Sequence, residues 1–391
     1  MFSVSRFFKV FLTPLALLAF VAWSKSTVVR TAPGTGADQN SSPFLIAPYI
    51  FSTDSGELKV AWQYQPASTF ANPGLQILVD QGAGTDGAQV PATADGDLWV
   101  SNLAQKACGF GTLRYQVPGM TEAKNVTAIP CQEDGGNIRL AFIADAQEGP
   151  QFVQTLAQQM QQQSVTAILN DGDLVETGDK MQDWVDYFGA MSALSSNIVM
   201  FPAVGNHEYR AQPNSLLWSH FFQKPAEQAH YSFFLGDAHI IVLNTCFTDD
   251  PAQTDSQLPW LREQLAVQAQ WKIVMFHHAV YSKGFFNSPL SPKKEYQDLQ
   301  REYVPLFESA GVDLVLNGHT HIYEHSVHNN IHYLVAGPAG GLMGFYATSN
   351  PYSVFSALER TVTYFDVSSH QILAKTLNIE GQQIDTFTLA K

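Results

Sequence analysis

The sequence of 391 residues predicts an α/β domain preceded by a small all-β sandwich of the immunoglobulin or fibronectin type. Before residue 133, short apolar runs recur between turn residues, which is typical of an antiparallel sandwich. After residue 137, apolar runs typical of buried strands alternate with amphipathic helical stretches. Between these regions, the sequence Asp134-Gly135-Gly136-Asn137 has the composition of a linker. We therefore expect two folding regions, and we expect the chemistry in the second.

The β-rich region is predicted to span residues 41–133. Its strand-like runs share β-branched and aromatic residues and are separated by turn residues. They are Glu57–Tyr64, Leu75–Val79, Leu98–Leu103 and Leu113–Val117. Cys108 and Cys131 fall in the same region and could pair in an oxidising compartment. We interpret Cys246, which follows an apolar run, as a small buried hydrophobe without a catalytic role.

The second region is predicted to form a catalytic domain over residues 137–345, completed by strands within 346–391. Its buried runs are Leu140–Ala144, Val165–Leu169, Ile198–Val204, Ile240–Leu243, Ile273–Phe276 and Val312–Leu316. The runs Thr361–Val367 and Gln371–Leu377 are the expected completing strands. Because ligands bind beyond the carboxyl ends of strands in open α/β sheets, polar residues at those ends can converge in space.

The composition excludes some functions. Hydrophobic residues make up 45% of the chain and charged residues 14%, so a large core is expected and disorder is not. The formal net charge is −14, and no basic stripe with interleaved aromatic residues offsets it. We therefore expect no nucleic-acid partner.

The N-terminus has the layout of a secretory signal. Arg6 and Lys9 precede an apolar run from Phe11 to Trp23. The run is shorter than the roughly 20 residues that cross a bilayer, and no clean small-residue cleavage site follows it. We expect residues 1–26 to be a signal peptide or a retained anchor. The protein is then periplasmic or secreted, with no other membrane contact.

Five polar motifs follow the predicted strands in order. They are Asp145-Ala146-Gln147, Gly172-Asp173-Leu174-Val175-Glu176, Gly205-Asn206-His207-Glu208, His277-His278 and Gly318-His319-Thr320-His321. Alone, each motif is more simply explained by a turn, a cap or a hydrogen-bonding side chain. Five of them at successive strand ends indicate a metal site or an acid/base site.

This ordered set resembles the calcineurin-like metallophosphoesterase family, and the preceding β-rich region resembles the arrangement in purple acid phosphatases. The resemblance covers essentially residues 41–391. It implies a four-layer sandwich of the ββαββ type with two metal ions at its edge. The implied ligands are Asp145, Asp173 and His321 for the first metal, and Asp173, Asn206, His277 and His319 for the second. His277 is preferred to His278 because it stands four residues before Tyr281, as the family's ligand stands before its aromatic residue.

Two positions depart from the family pattern. Gln147 stands where many relatives have histidine and purple enzymes have glycine. We include it among the metal ligands as a neutral oxygen donor that binds more weakly than imidazole. Glu176 replaces the metal-binding tyrosine of purple enzymes, so we expect no purple Fe(III)–tyrosinate centre. The mixed oxygen and nitrogen donors suit Mn, Fe or Zn without selecting one.

The resemblance implies an acid-phosphatase-like hydrolase that cleaves a small phosphorylated substrate by attack of a metal-bound hydroxide. Asp173 and His207 are the expected catalytic residues, and Asn206 and His207 the expected substrate contacts. His207 is the expected general acid because imidazole titrates near neutral pH and the residue follows ligand Asn206. Glu208 and Glu176 are both eligible to hold its proton.

Other functions remain open from the sequence alone. A phosphodiesterase or a nucleotide diphosphatase would use the same centre, because specificity lies in the loops. Glutamine at position 147 favours these by analogy with some family members. A noncatalytic extracellular binding protein is a further alternative. However, an α/β domain that had lost its catalytic activity should also have lost metal ligands.

Overall fold

The computed structural model describes the chain from residue 42 onward with short gaps. The described residues are 42–54, 56–68, 74–79, 87–104, 108–109, 113–131, 137–210, 216–224, 229–246, 251–291 and 295–391. The predicted signal region 1–26 lies outside them. Among the described residues, we find no helix with the length and apolar character needed to cross a bilayer.

The described strands are numbered in chain order. Those of the first half are β1 Phe44–Ser52, β2 Leu58–Tyr64, β3 Leu75–Val79, β4 Gly87–Val90, β5 Thr93–Asp95, β6 Leu98–Ala104, β7 Leu113–Gln116, β8 Lys124–Val126, β9 Ile138–Ile143, β10 Ala167–Asp171 and β11 Val199–Ala203. Those of the second half are β12 Tyr231–Leu235, β13 Ala238–Val242, β14 Trp271–Met275, β15 Leu314–Asn317, β16 Tyr323–His328, β17 Ile331–Val335, β18 Ser353–Ala357, β19 Thr361–Val367, β20 Gln371–Asn378 and β21 Gln383–Ala390.

The described helices lie between the strands of the α/β part. They are α1 Pro150–Gln161, α2 Met181–Ser195, α3 Leu216–Phe222, α4 Pro251–Ala266, α5 Glu295–Asp298 and α6 Val304–Ala310. A 3₁₀ turn covers Phe285–Asn287, and a π-helical turn covers Leu299–Tyr303 between α5 and α6. Proline at or next to the first position of α1 and of α6 is favourable there, because the missing amide would have no helical partner.

Two large sheets form the body of residues 42–391. One has the order β21-β20-β19-β9-β10-β11-β1-β2-β6-β5, and the other has the order β12-β13-β14-β15-β17-β16-β18. The central strands β9, β10 and β11 are parallel, as are β13, β14, β15 and β17. Their carboxyl ends therefore share one edge in each sheet.

Hydrophobic packing divides the fold into four layers. One cluster joins the facing sides of the two sheets, with Phe142 and Phe201 of the first sheet and Met275 and Leu316 of the second. A second cluster packs the outer side of the first sheet against α1, α2 and α3. A third packs the outer side of the second sheet against α4 and α6. The predicted four-layer α/β sandwich, with a β-rich region before it, is confirmed.

The β-rich region is built differently from a detached sandwich. Its strands β3, β4, β7 and β8 form a separate four-stranded sheet, whereas β1, β2, β5 and β6 extend the ten-stranded sheet. Strand β1 pairs in parallel with β11, with Phe51 opposite Met200. Residues 42–391 form one compact unit. The limits proposed at residues 133, 137 and 345 remain predictions.

Strand β1 is the element that joins the two regions. Its Tyr49 ring stacks on Phe188 of α2 with centroids 4.3 Å apart, and its hydroxyl donates to the carbonyl of Phe221 at 2.7 Å. Tyr49 and Phe51 are fully buried. Each buried aromatic side chain of this size contributes several kcal/mol, about 3–5 when lost to alanine. The described residues also include a disulfide between Cys108 and Cys131, the pair that the sequence suggested.

Candidate metal centre

Five predicted site residues follow the parallel strands of the two sheets within three residues. Asp145 follows β9, Asp173 follows β10 and Asn206 follows β11, while His277 follows β14 and His319 follows β15. Asp145, Asp173, His277 and His319 are buried. A backbone bridge between Ala144 and Pro338 joins the two sheets beside them. The fold therefore brings residues from distant parts of the chain to one point.

The backbone of these loops is strained. Among the described residues other than glycine, φ is positive at five predicted site residues: Asp145 (55°), Gln147 (39°), Asp173 (51°), His319 (70°) and His321 (55°). Residues other than glycine seldom adopt this backbone conformation, which costs on the order of 1 kcal/mol or more per residue. Such strain is typical of functional sites, where the surrounding structure holds the chain in place.

Two groups of side chains can each hold a cation, and they share Asp173. In one group Asp173, His277 and His319 offer donor atoms within 4.8 Å of one another. In the other, Asp145, Asp173 and His321 do the same. His277 Nε2 lies 3.1 Å from Asp173 Oδ2, and His321 Nε2 lies 3.5 Å from Asp145 Oδ1. All five residues of these groups are among the ligands that the resemblance implies, and Asp173 belongs to both groups.

The histidine chemistry fits metal ions. His319 Nε2 is buried and has no hydrogen-bond partner among the residues that the structure describes. Burial, together with the imidazoles of His278 and His277, holds the pKa of His319 well below its usual range. The ring is therefore neutral, which is the form that coordinates a metal ion. An unpartnered buried nitrogen is costly unless a cation takes it, and the mixed oxygen and nitrogen donors suit Mn, Fe or Zn.

The structure aims His277 at Asp173, whereas the ring of His278 lies beside the ring of His319. His277 Nδ1 lies 2.8 Å from the carbonyl oxygen of Asp171, so Nε2 faces Asp173 and lies 3.2 Å from Asn206 Oδ1. His278 Nδ1 instead contacts Thr245 Oγ1 at 2.9 Å. A carbonyl that fixes the ring of a ligating histidine in this way is a common feature of metal sites. The Asp171 carbonyl was not foreseen, because sequence patterns carry no signal for a backbone acceptor.

Gln147 contacts the shared carboxylate with its amide nitrogen. Its Nε2 donates to Asp173 Oδ2 at 3.0 Å. On the other side, a Cβ atom at Gly341 would lie 2.3 Å from Gln147 Oε1, so only glycine leaves room for this amide. Gln147 therefore lies beside the group of Asp145, Asp173 and His321 as a hydrogen-bond donor. Its role as a metal ligand remains a prediction.

Replacing Gln147 with histidine should strengthen binding at the first metal position. Imidazole is a stronger donor than an amide for Mn, Fe or Zn, and we expect the affinity of the weaker site to rise about tenfold or more. Titration of metal-stripped protein, followed by calorimetry, measures both sites. The exposed Gln151 of α1, changed to histidine, is the control. An unchanged weaker site in Gln147→His would show that this side chain does not face the metal.

Glu208 organises the loops, and the sequence had suggested a different role for it. Its carboxylate accepts hydrogen bonds from the backbone amides of Gly205 (2.6 Å), Asp173 (3.0 Å) and Leu174 (2.8 Å), with a longer contact to Val175 (3.4 Å). The side chain is fully buried. Burial, together with the charge of Asp173, raises the pKa of Glu208 to about 7. Glu208 thus links the loops after β10 and β11.

Loss of the Glu208 carboxylate should destabilise the protein strongly. Glu208→Ala leaves several buried amides without acceptors, each costing about 1–3 kcal/mol, so we expect at least about 3 kcal/mol of lost stability. Urea denaturation of metal-free protein measures it. Glu263→Ala, on the exposed side of α4, should change stability by less than about 0.5 kcal/mol. If the two variants unfolded at the same urea concentration, Glu208 would not hold the loops together.

His207 lies at the mouth of the centre beside Glu176. Its backbone amide donates to Asp173 Oδ1 at 2.7 Å. Its Nδ1 lies 2.9 Å from the Glu176 carbonyl oxygen and 3.2 Å from Glu176 Oε2. Burial lowers the pKa of His207, but the carboxylates of Asp173 and Glu176 raise it by a larger amount. The net shift of the pKa is therefore upward. The sequence left open whether Glu208 or Glu176 holds the proton of His207. Of the two, Glu176 contacts the His207 ring.

Comparison with known proteins identifies the fold of this region. Residues 138–323 match the calcineurin-like phosphoesterase family. The chain contains a calcineurin-like phosphoesterase domain. This domain includes every residue of the two ligand groups.

Relatives with similar sequences include purple acid phosphatases. Purple acid phosphatase 18 from Arabidopsis thaliana is 30% identical over 168 residues, covering 39% of this chain and 37% of that protein. Purple acid phosphatase 23 from the same plant is 27% identical over 170 residues, covering 40% of this chain and 35% of that protein. The matched region thus spans about a third of the length of these relatives.

Solved structures extend the similarity in fold to most of the chain. The purple acid phosphatase PPD1 from yellow lupin superposes with a TM-score of 0.72 at 16% identity, over 88% of this chain and 74% of that one. PhoD superposes with a TM-score of 0.66 at 13% identity, over 91% and 92%. Both matches reach beyond the calcineurin-like phosphoesterase domain.

Proposed function

We propose that this protein is a two-metal phosphoesterase that hydrolyses phosphate monoesters, as an acid phosphatase does. The observation that carries the proposal is the pair of buried ligand groups that share Asp173 inside a calcineurin-like phosphoesterase domain. The similarity to purple acid phosphatases supports the same chemistry.

The residues of the centre have distinct tasks. Asp145, Asp173 and His321 would hold one metal ion, and Asp173, Asn206, His277 and His319 the other. Bound there, the two ions would supply an activated water and neutralise charge on the phosphoryl oxygens. Asp173 would contribute its carboxylate to both positions because it belongs to both groups. Glu208 keeps Asp173 in place through the backbone amides of the two loops.

His207 would give a proton to the leaving oxygen. It follows Asn206, and its Nε2 lies 3.7 Å from Asp173 Oδ2, which places the imidazole at the edge of both metal positions. Glu176 contacts Nδ1 and so orients the ring with Nε2 toward the centre. A positioned acid of this kind contributes typically 10²–10⁴-fold to a reaction with a poor leaving group.

Phosphodiesters are the second candidate substrates. Arg210, the cation next to His207, is already paired with Glu176. Glu148 and Glu176 add negative charge near the mouth of the centre, and the pKa of Glu148 is raised by burial and by Glu176. Since a monoester carries more charge than a diester, an acidic mouth favours the less charged substrate.

Export from the cytoplasm is part of the proposal. The Cys108–Cys131 disulfide supports an oxidising compartment, where such bonds persist. The N-terminal sequence pattern agrees with a periplasmic or secreted location, and the expected partner is a small phosphorylated substrate.

The test is hydrolysis of p-nitrophenyl phosphate and bis(p-nitrophenyl) phosphate by metal-stripped protein supplied separately with Mn, Fe, Zn or Mg. We expect metal-dependent turnover, and the ratio of the two rates distinguishes a monoesterase from a diesterase. Asp173→Asn serves as the matched inactive control, because it keeps the shape of the side chain and loses its charge. Folded protein without turnover for any metal would overturn the proposal and favour a noncatalytic binding protein.

A further inference from the structure

Exposed apolar side chains form a continuous surface beside the metal centre. Large hydrophobic residues are normally exposed singly, and a group of them marks a binding surface. We call this group the aromatic wall. Its members are Leu342 (63% exposed), Phe345 (54%), Tyr346 (44%), Phe286 (37%) and the partly buried Phe285.

The wall is built from two loops that are joined to each other. A backbone bridge connects Gly284 with Tyr346. The ring of Phe285 lies 5.6 Å from that of Phe286 and 5.6 Å from that of Phe345, so the rings of both loops are in contact. Rings at these distances stabilise each other beyond the effect of buried area. The two loops are therefore held together by contacts within the protein and present one surface.

Both loops are tied to the ligand motif. His321 Nδ1 contacts the carbonyl oxygen of Leu342 at 2.5 Å, and the amide of Gly344 donates to the His321 carbonyl at 2.8 Å. The Phe286 ring lies only 4.4 Å from the His319 ring. The apolar surface thus begins at a candidate metal ligand and extends outward from it.

Nearby cations are already engaged. Lys283 donates to Ser356 Oγ at 3.1 Å and lies over the Tyr346 ring at 6.0 Å. Arg360 donates to the Gly341 carbonyl at 2.7 Å and stacks on Phe152. Arg210 is ion-paired with Glu176, so all three cations have a partner within the fold. The surroundings of the centre favour a substrate that is apolar beyond its one phosphate.

We propose that the aromatic wall binds the alcohol part of the ester, so that the substrates are phosphate esters of apolar aliphatic or aromatic alcohols. This inference rests on the proposed phosphoesterase function. A phosphoryl group held between the two ligand groups places its ester substituent next to Phe286. Sugar phosphates would leave the wall exposed to water and gain nothing from it.

The experiment uses n-alkyl phosphonates from ethyl to hexyl, whose binding does not depend on turnover. Calorimetry with metal-loaded protein gives their affinities, and hydrolysis of the matching n-alkyl phosphates gives kcat/KM. The alcohols have nearly equal pKa values, so chain length changes binding and not leaving-group chemistry. We expect affinity and kcat/KM to rise about tenfold or more from ethyl to hexyl, since each buried methylene contributes up to about threefold to fourfold.

The Leu342→Ser and Phe345→Ser double variant should reduce this gain to less than about threefold. Both side chains are more than half exposed, so we expect the fold to persist, and thermal unfolding checks it. Val354→Ser is the matched control. Val354 is 64% exposed near the start of β18, where the strand pairs with Ser326, and should keep the tenfold gain.

Three other outcomes would overturn the inference. Equal binding of ethyl and hexyl phosphonate would refute the wall's role and leave the metal-dependent phosphoesterase intact. Failure of every phosphonate to bind with any metal would instead reject the phosphoesterase on which the inference rests. A flat chain-length series, with flotation on phosphatidylcholine vesicles that the double variant abolishes, would make the wall a membrane contact.

Discussion

Replacing Asp173 with alanine is expected to abolish metal binding and phosphoester hydrolysis together. Asp173 belongs to both ligand groups, so its loss removes a donor from each metal position at once. We expect kcat/KM to fall by on the order of 10³-fold or more, because the activated water and the charge neutralisation both depend on the metals.

Three measurements separate loss of metal from loss of folding. Metal content is determined by mass spectrometry after dialysis, activity with p-nitrophenyl phosphate, and thermal unfolding with and without added metal. Wild-type protein should be stabilised by about 2.7 kcal/mol per metal site when free metal is a hundred times that site's dissociation constant, and Asp173→Ala should not. Asp186→Asn, a surface change on α2, is the control. Metal retained at two ions per chain in Asp173→Ala would contradict its bridging position.

Replacing His207 with alanine is expected to leave both metals bound and to slow poor leaving groups selectively. The side chain is outside both ligand groups, yet it lies at their edge and contacts Glu176. Loss of a positioned general acid costs about 10²–10⁴-fold when the leaving oxygen needs a proton, and much less when it does not. The dependence of kcat on leaving-group pKa should therefore become steeper.

A series of aryl phosphates with phenols of different pKa measures this dependence. Added imidazole should partly restore hydrolysis of the poorest substrates by His207→Ala and should not affect the wild type. Glu176→Gln is a second comparison, since it keeps His207 and removes only the carboxylate beside it; its effect should be smaller. An equal rate decrease for all leaving groups would assign His207 a role in binding instead of proton transfer.

The sequence predicted the central architecture well because buried strands carry a strong signal. The run Leu75–Val79 and the run Thr361–Val367 coincide with β3 and β19, and each buried run of the α/β part overlaps an observed strand. The motifs at their ends were predictable for the same reason. Parallel strands place their carboxyl ends at one edge, so ligand-type residues far apart in the chain meet there.

Several strands were not predicted, and two of these cases have different physical reasons. Strand β1 contains Pro48, which normally argues against a strand interior, and the structure accommodates it where the pairing with β2 shifts register between Ile46 and Tyr49. The hairpin of β16 and β17 turns at Asn329-Asn330, both with positive φ. Paired asparagines favour this turn, so the hairpin could have been found.

The finer features of the site depend on contacts that no local pattern encodes. Glu208 was recognised as a carboxylate near His207, but its hydrogen bonds to backbone amides follow from how two loops meet. The orientation of Gln147 depends on the space left by Gly341, nearly two hundred residues later in the chain. The aromatic wall likewise joins two loops that are separate in sequence.

The parallel pairing of β1 with β11 determines whether the two regions can be separated. An appended domain can be gained, lost or exchanged between proteins without disturbing its neighbour. Here, removing the β-rich region would expose the long edge of β11 and the aromatic cluster beneath Tyr49 to water, and open strand edges promote aggregation. We therefore expect that the α/β part is not stable when the β-rich region is deleted, although the two regions look separate in sequence.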